Sequence, residues 1–190
     1  MITSKYKLPN LDEYLAIDCE FVGSKRGNEL AKVGIVNYQG SIIFESFVYV
    51  NPRNVIDYRT SKSRIRAKDL EGAPTYEKVI IIIKDILKNK IIIGHTLFND
   101  LNVIGYKISY DSFRDTALYI PLRRKVGINK EGIYPSLSNL SKKNLGIDIQ
   151  QNEHDPIEDA RSTMAIFMKV RENYEIDLIQ NKDCISGIPS

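Results

Sequence analysis

Tryptophan is absent from the 190 residues, and cysteine occurs only twice, at Cys19 and Cys184. There is no Cys-x-x-Cys pair, which excludes a zinc finger or ribbon built on thiolates. Cys19 lies in an apolar run and reads as a small buried residue, so a disulfide to Cys184 is not expected. Histidine is also scarce, with His95 and His154 the only two. The apolar runs Val79 to Ile83 and Ile91 to Ile93 are far too short to span a bilayer. Residues Met1 to Lys7 lack the apolar core of a signal peptide. No internal repeat or low-complexity tract is visible. These absences predict a soluble intracellular protein.

What is present is enough for one ordinary globular domain: 43% of residues are hydrophobic and 27% charged. The net charge of +3 is only mildly basic and does not by itself establish a nucleic-acid partner. Two bound divalent cations would add about four positive charges and improve the match to a polyanion.

Apolar periodicity divides the chain into a polar lead-in (1–12), one domain (13–178) and a polar, loosely held tail (179–190). Strands are predicted over 14–22, 30–38 and 41–50, the last two forming a hairpin across Asn37-Tyr38-Gln39-Gly40. A basic loop spans 23–28, and an irregular basic connector spans 51–74. Thr75 is placed to cap a helix running to Lys88, Ile91–Gly94 reads as a buried strand, and Thr96 is placed to cap the next helix. A weak strand over 110–113, a short helix from Thr116, a loop over 123–134 and a helix capped by Ser136 follow. The last helix has a clear start, with Asp155 as N-cap, Pro156 first and Glu158 third. Strands first, then strands alternating with helices, predict an α/β fold: a mixed sheet with a hairpin portion and parallel crossovers.

The pair Asp18 and Glu20 lies within the apolar strand Tyr14 to Val22. Strand side chains alternate, so both carboxylates share one face, while Ile17, Cys19 and Phe21 share the other. Two adjacent buried negative charges repel and are costly to desolvate, and a divalent cation is the usual remedy. Asp100 and Asp159 each fall in the first turn of a predicted helix, where helix-dipole compensation alone accounts for either. Asp100 also follows a buried strand, where α/β sheets place their sites. His154, taken singly, is a loop histidine; His95, between a strand and a helix, reads as structural or supporting. Asp115, which ends a strand and precedes a helix, reads as the cap of that helix or as locally paired. Taken together, Asp18, Glu20, Asp100, Asp159 and His154 can converge on one cleft. Carboxylates without thiolates select Mg²⁺ or Mn²⁺ over zinc. Two such ions suit phosphoryl transfer, and a nearby imidazole can take a proton from water.

Seven ordered segments then carry a family resemblance: 16–23, 30–37, Asp57-Tyr58-Arg59-Thr60, 93–101, Arg114-Asp115-Thr116, Pro135-Ser136-Leu137 and 154–161. Over residues 14 to about 174 the chain resembles the DEDD 3′-to-5′ exonucleases. His154, five residues before Asp159, places it with the histidine subclass; the tyrosine subclass would have tyrosine where Asp155 stands. It most resembles the RNA exonuclease 4 group, with the interferon-stimulated 20-kDa exonuclease a near cousin.

The resemblance implies a ribonuclease H-like mixed five-stranded sheet flanked by helices. It makes Asp18, Glu20, Asp100 and Asp159 the ligands of two divalent cations, Mg²⁺ or Mn²⁺, with His154 the general base. Phe21 and Arg59 would contact the terminal nucleotide. The implied reaction releases nucleoside 5′-monophosphates from the 3′ end of single-stranded RNA, in ribosomal RNA maturation in the nucleus or nucleolus. Action on single-stranded DNA or on both polymers is the alternative within the same chemistry, and a catalytically silent RNA-binding factor is the alternative outside it. Two departures stand out. Arg64 occupies a position where many relatives have glycine, and the sequence begins almost at the domain, so delivery or RNA recruitment by the long basic N-terminal arm common in the group is not carried over as an expectation.

Overall fold

Strand β1 (Tyr14–Ser24) runs through the centre of the molecule because nearly every second residue along it has somewhere apolar to go. The computed structural model describes residues 6–149 and 154–186, so the ends of the lead-in and tail lie outside the described residues. A two-residue turn, Lys25–Arg26, links β1 antiparallel to β2 (Gly27–Asn37), so the predicted basic loop is mostly strand. β2 continues through the expected hairpin into β3 (Ile42–Phe47). The parallel part consists of β5 (Ile91–Gly94) beside β1 and β6 (Phe113–Asp115) beside β5.

The sheet has six strands rather than five, in the order β3-β2-β1-β5-β6 with β4 (Val55–Asp57) attached to β1. The reason lies in strand lengths. β5 pairs only with Tyr14, Leu15 and Ala16, which leaves the rest of that edge of β1 without a partner strand from β5. β4 pairs with its far end, Gly23 and Ser24, and satisfies backbone groups there. The stretch between, which carries Asp18 and Glu20, stays open at the carboxyl end of β5.

The connector is correspondingly less irregular than its composition predicts. Besides β4 it holds two single-turn helices, α1 (Thr60–Ser63) and α2 (Ala67–Leu70). Ile65 and Leu70 anchor it in a small cluster with Val22, Ala31 and Val50. The remaining helices are α3 (Tyr76–Leu87), α4 (Leu97–Ile104), α5 (Ile120–Lys125), α6 (Leu137–Leu145) and α7 (Pro156–Ile179). Thr75 and Thr96 hold the N-cap positions of α3 and α4, but neither hydroxyl caps its helix. The predicted strand over 110–113 is a 3-10 turn followed by β6. The helix expected from Thr116 begins only at Ile120, because the Asp115 carboxylate holds the Ala117 and Leu118 amides in a turn.

α7 covers one face of β1 and β2. The Tyr14 ring packs against Phe167 of α7 at a tilt of 48°, and Glu175 forms a buried two-point ion pair with Arg114 at 2.7 and 2.8 Å. The tail is not loose over its described part: Cys184 and Ile185 are buried, and Ile185 bridges to Tyr119. Both cysteines are free; Cys19 is buried as expected, and Cys184 is buried with the packed part of the tail. Among the described residues no helix is long and apolar enough to cross a membrane.

The N-terminus of α7 sits tightly on β2. A β-carbon on Gly34 would lie 2.8 Å from the Ile157 side chain and 2.9 Å from the backbone of Pro156 and Ile157. Gly34→Ala should therefore cost about 1–3 kcal/mol, read as a lower denaturant midpoint at unchanged slope.

Candidate active site

Side-chain alternation sets the stage. Asp18 pairs with Gly34 and Glu20 with Lys32, so both acids face α7 as their spacing predicts. α7 in turn brings Asp159 in its first turn, and His154 immediately before its cap. Ligand atoms of Glu20, His154 and Asp159 lie within 4.8 Å of one another, and His154 Nδ1 is 3.2 Å from Asp159 Oδ2. Asp100 approaches from α4, buried, and takes a hydrogen bond from the Cys19 thiol on the other face of β1. The four acids thus gather at the open edge of β1 from both sides of the sheet.

Their electrostatics follow from crowding. Burial holds the Asp18 carboxyl well above the usual carboxylate range, and Asp100, Asp159 and Glu20 push it further. Burial first, then Asp159 and Asp155, push Glu20 up to about 7 against the lowering pull of Lys32. Asp100 is also raised, chiefly by burial. Such a cluster takes up protons or a cation. The donors are oxygens and one imidazole, and the Cys19 thiol is itself driven well up by burial, so it is no thiolate ligand. The donor set therefore fits a hard divalent cation.

The structure separates the remaining residues by role. Asp115 does not cap the helix that follows it. Its carboxylate accepts the amides of Thr96 at 3.1 Å and Leu97 at 2.7 Å, besides those of its own turn, and so sets the start of α4 and the place of Asp100. His95 is structural. Its Nε2 lies 2.9 Å from the Pro135 carbonyl, which can only accept, so that nitrogen carries the proton, and burial pulls the ring down to about 4.

Phe21 and Arg59 come to a second surface of the same strand. A bulge, with Ala31 the extra residue of β2, shifts the register between Glu20 and Phe21. Beyond it Phe21 pairs with Leu30, and Gly23 with Asn28. The Arg59 guanidinium lies 3.6 Å from where a β-carbon on Gly23 would stand and donates to Asn28 Oδ1 at 2.7 Å. Phe21 and Arg59 therefore lie along one face, next to a cavity of about 250 Å³ lined by Arg26, Leu30, Tyr49 and Tyr76 among others.

Sequence reasoning missed Lys32. Its Nζ donates to Asp155 Oδ2 at 2.6 Å and to Glu45 at 2.9 Å, directly across from Glu20. Asp155 meanwhile accepts the Ile157 and Glu158 amides, so one carboxylate both caps α7 and ties it to β2. The available signal was a lone lysine inside the apolar run Leu30 to Val36.

The profile of the exonuclease family matches residues 15–167. Among curated proteins, RNA exonuclease 4 of Mycosarcoma maydis is 42% identical over 167 residues, covering 85% of this chain and 43% of that one. RNA exonuclease 4 of Saccharomyces cerevisiae is 36% identical over 173 residues, covering 89% and 58%. The chain thus spans about half the length of these relatives. Among solved structures, the Pan2 catalytic unit of Neurospora crassa superposes with a TM-score of 0.71 at 23% identity, over 95% of this chain and 31% of that one. A Saccharomyces cerevisiae Pan2 exonuclease module in complex with A7 RNA gives 0.70 at 24%, over 93% and 33%. These likenesses identify the fold as ribonuclease H-like.

An acid whose pKa is raised on folding binds its proton more tightly in the folded chain, so stability falls as pH rises between the two values. For Glu20 that window runs from 4.5 to about 7. In chelator, the melting temperature should fall across this window, and Glu20→Gln should flatten the fall; a flat wild-type profile would contradict the crowding.

Proposed function

Because the chain belongs to the exonuclease family, we propose that it is a divalent-cation-dependent 3′-to-5′ exonuclease that removes nucleoside 5′-monophosphates from single-stranded RNA. The observation that carries this reading is the approach of Glu20, His154 and Asp159 to within 4.8 Å beside a strongly perturbed Asp18. Asp18, Glu20, Asp100 and Asp159 would hold the cations, Mg²⁺ or Mn²⁺. Bound there, two ions would stabilise the attacking and leaving oxygens.

The chain's own groups supply the rest. His154 is positioned by the Asp155 cap and has an Asp159 oxygen 3.2 Å away, which orients the ring. It takes the proton of the attacking water as the water oxygen bonds to phosphorus. The bond from phosphorus to the 3′ oxygen of the preceding nucleotide breaks, and that oxygen takes a proton from solvent water to leave a new 3′ hydroxyl. Phe21 packs on the terminal sugar or base, and Arg59 lies on the same face to meet the sugar hydroxyl. RNA is favoured as substrate by that 2′-hydroxyl contact and by the RNA exonuclease 4 names of the relatives. By the resemblance to the RNA exonuclease 4 group alone, the proposal extends to precursor ribosomal RNA as the biological substrate, in the nucleus or nucleolus.

Digestion of matched RNA and DNA oligomers with Mg²⁺ and with Mn²⁺ tests this reading. Monophosphates should appear from the 3′ end and vanish in chelator, with RNA the faster substrate. Asp18→Asn should abolish cleavage while leaving the circular dichroism spectrum unchanged; an undiminished rate removes the cation site. His154→Ala should lower kcat by about 10²–10⁴, the contribution of one general base.

A further inference from the structure

Two arginines bracket the single turn of α1, and both hold a left-handed backbone: Arg59 at φ 53° and Arg64 at φ 60°. This region suits glycine and disfavours a side chain with a β-carbon. Arg64 has no freedom to leave it. Its amide donates to the Thr60 carbonyl at 3.1 Å. Ser63 and Ile65, on either side, are both buried. The Ser63 hydroxyl is 3.3 Å from the Ile65 amide, and the Thr60 hydroxyl donates to the Ile65 carbonyl at 2.6 Å. Ile65 is pinned in the small cluster under the connector. The fold therefore dictates a glycine-like conformation at an exposed position that carries a long cation. A strained residue that the surroundings over-determine points to a use for its side chain.

Its location narrows that use. The His154 amide donates to the Lys62 carbonyl at 2.5 Å, so α1 abuts the segment that holds the candidate base. At its other end α1 begins from Arg59, over Gly23 and on the Phe21 face. The strip continues with exposed Lys62, Arg64, Arg66 and Lys68, with partly exposed Asp69 beside it and exposed Asp57 and Glu71 flanking its two ends. The four residues of α1 rise about 6 Å, on the order of one nucleotide step along an extended single strand.

We propose that Arg64 is a substrate-binding residue that contacts a backbone phosphate upstream of the terminal nucleotide, and that the strip from Arg59 to Lys68 guides the single strand toward the carboxylates. This rests on the exonuclease reading above and adds to it the path of the strand and the group that holds it.

The test compares an RNA octamer with a dinucleotide. The preference for the octamer, as a ratio of kcat/KM values, should fall about three- to fivefold in Arg64→Gly, the loss for one exposed charge contact. The log–log salt dependence of octamer binding should become shallower by about 0.7, one phosphate on a single strand. Arg64→Lys should keep most of the preference. The melting temperature of the RNA-free Arg64→Gly protein should rise, because glycine relieves the left-handed strain. An unchanged octamer preference and salt slope in a folded Arg64→Gly protein would overturn the proposal, and so would an equal loss on both substrates. Failure of the wild-type protein to degrade either RNA would instead overturn the exonuclease reading.

Discussion

The seat of α7 on β2 is the constraint on which the rest of the site depends. Gly34 leaves no room for a side chain beneath Ile157, and Lys32 reaches up to Asp155 at the helix cap. Together they fix the rotation and height of the first turn of α7. Asp159 is inside that turn and His154 just ahead of it, so both take their height above the sheet from β2, and the Lys62 carbonyl holds the His154 amide in addition. Lys32 is also the cross-strand partner of Glu20. One amine therefore spans the cap that positions the imidazole and the strand that carries the acids.

The carboxylates sit in a place that the sheet leaves open. β5 stops at Gly94, β4 joins only at the far end of β1, and the backbone between them faces the starts of α4 and α7. Burial there makes charge expensive, which drives Asp18, Glu20 and Asp100 upward together. The arrangement is poor for an empty protein and well suited to a cation, because every raised group gains from the same positive charge. The buried thiol of Cys19, which donates a hydrogen bond to Asp100, completes the packing without supplying a ligand.

The connector has a different logic. Ile65 and Leu70 bury themselves under it, so its backbone is firm although its composition is polar and basic. That firmness lets an exposed segment hold left-handed residues, tie back to His154 through Lys62, and present cations in a fixed row. Asp115 plays the matching part on the other side, where its buried carboxylate gathers the amides that start α4.

The sequence by itself determined the elements with strong periodicity or chemistry. The strand of Asp18 and Glu20, the buried strand at Ile91, the Asp155 cap and the spacing of His154 to Asp159 were all legible, because each is set by local alternation or local hydrogen bonding. The resemblance then named the site residues as a group. The sixth strand, the two turns within the connector, the packed tail and the role of Asp115 were not legible. Each exists because a distant segment needs a partner: the far edge of β1 for β4, Tyr119 for Ile185, the first amides of α4 for Asp115. Lys32 belongs with them, since a lysine in an apolar strand gains its meaning only from a helix cap 123 positions away in the chain. Tertiary structure alone also decided that Arg64 must be left-handed, because its neighbours Ser63 and Ile65 are both buried, Ile65 against Val22, Ala31 and Val50 from distant parts of the chain.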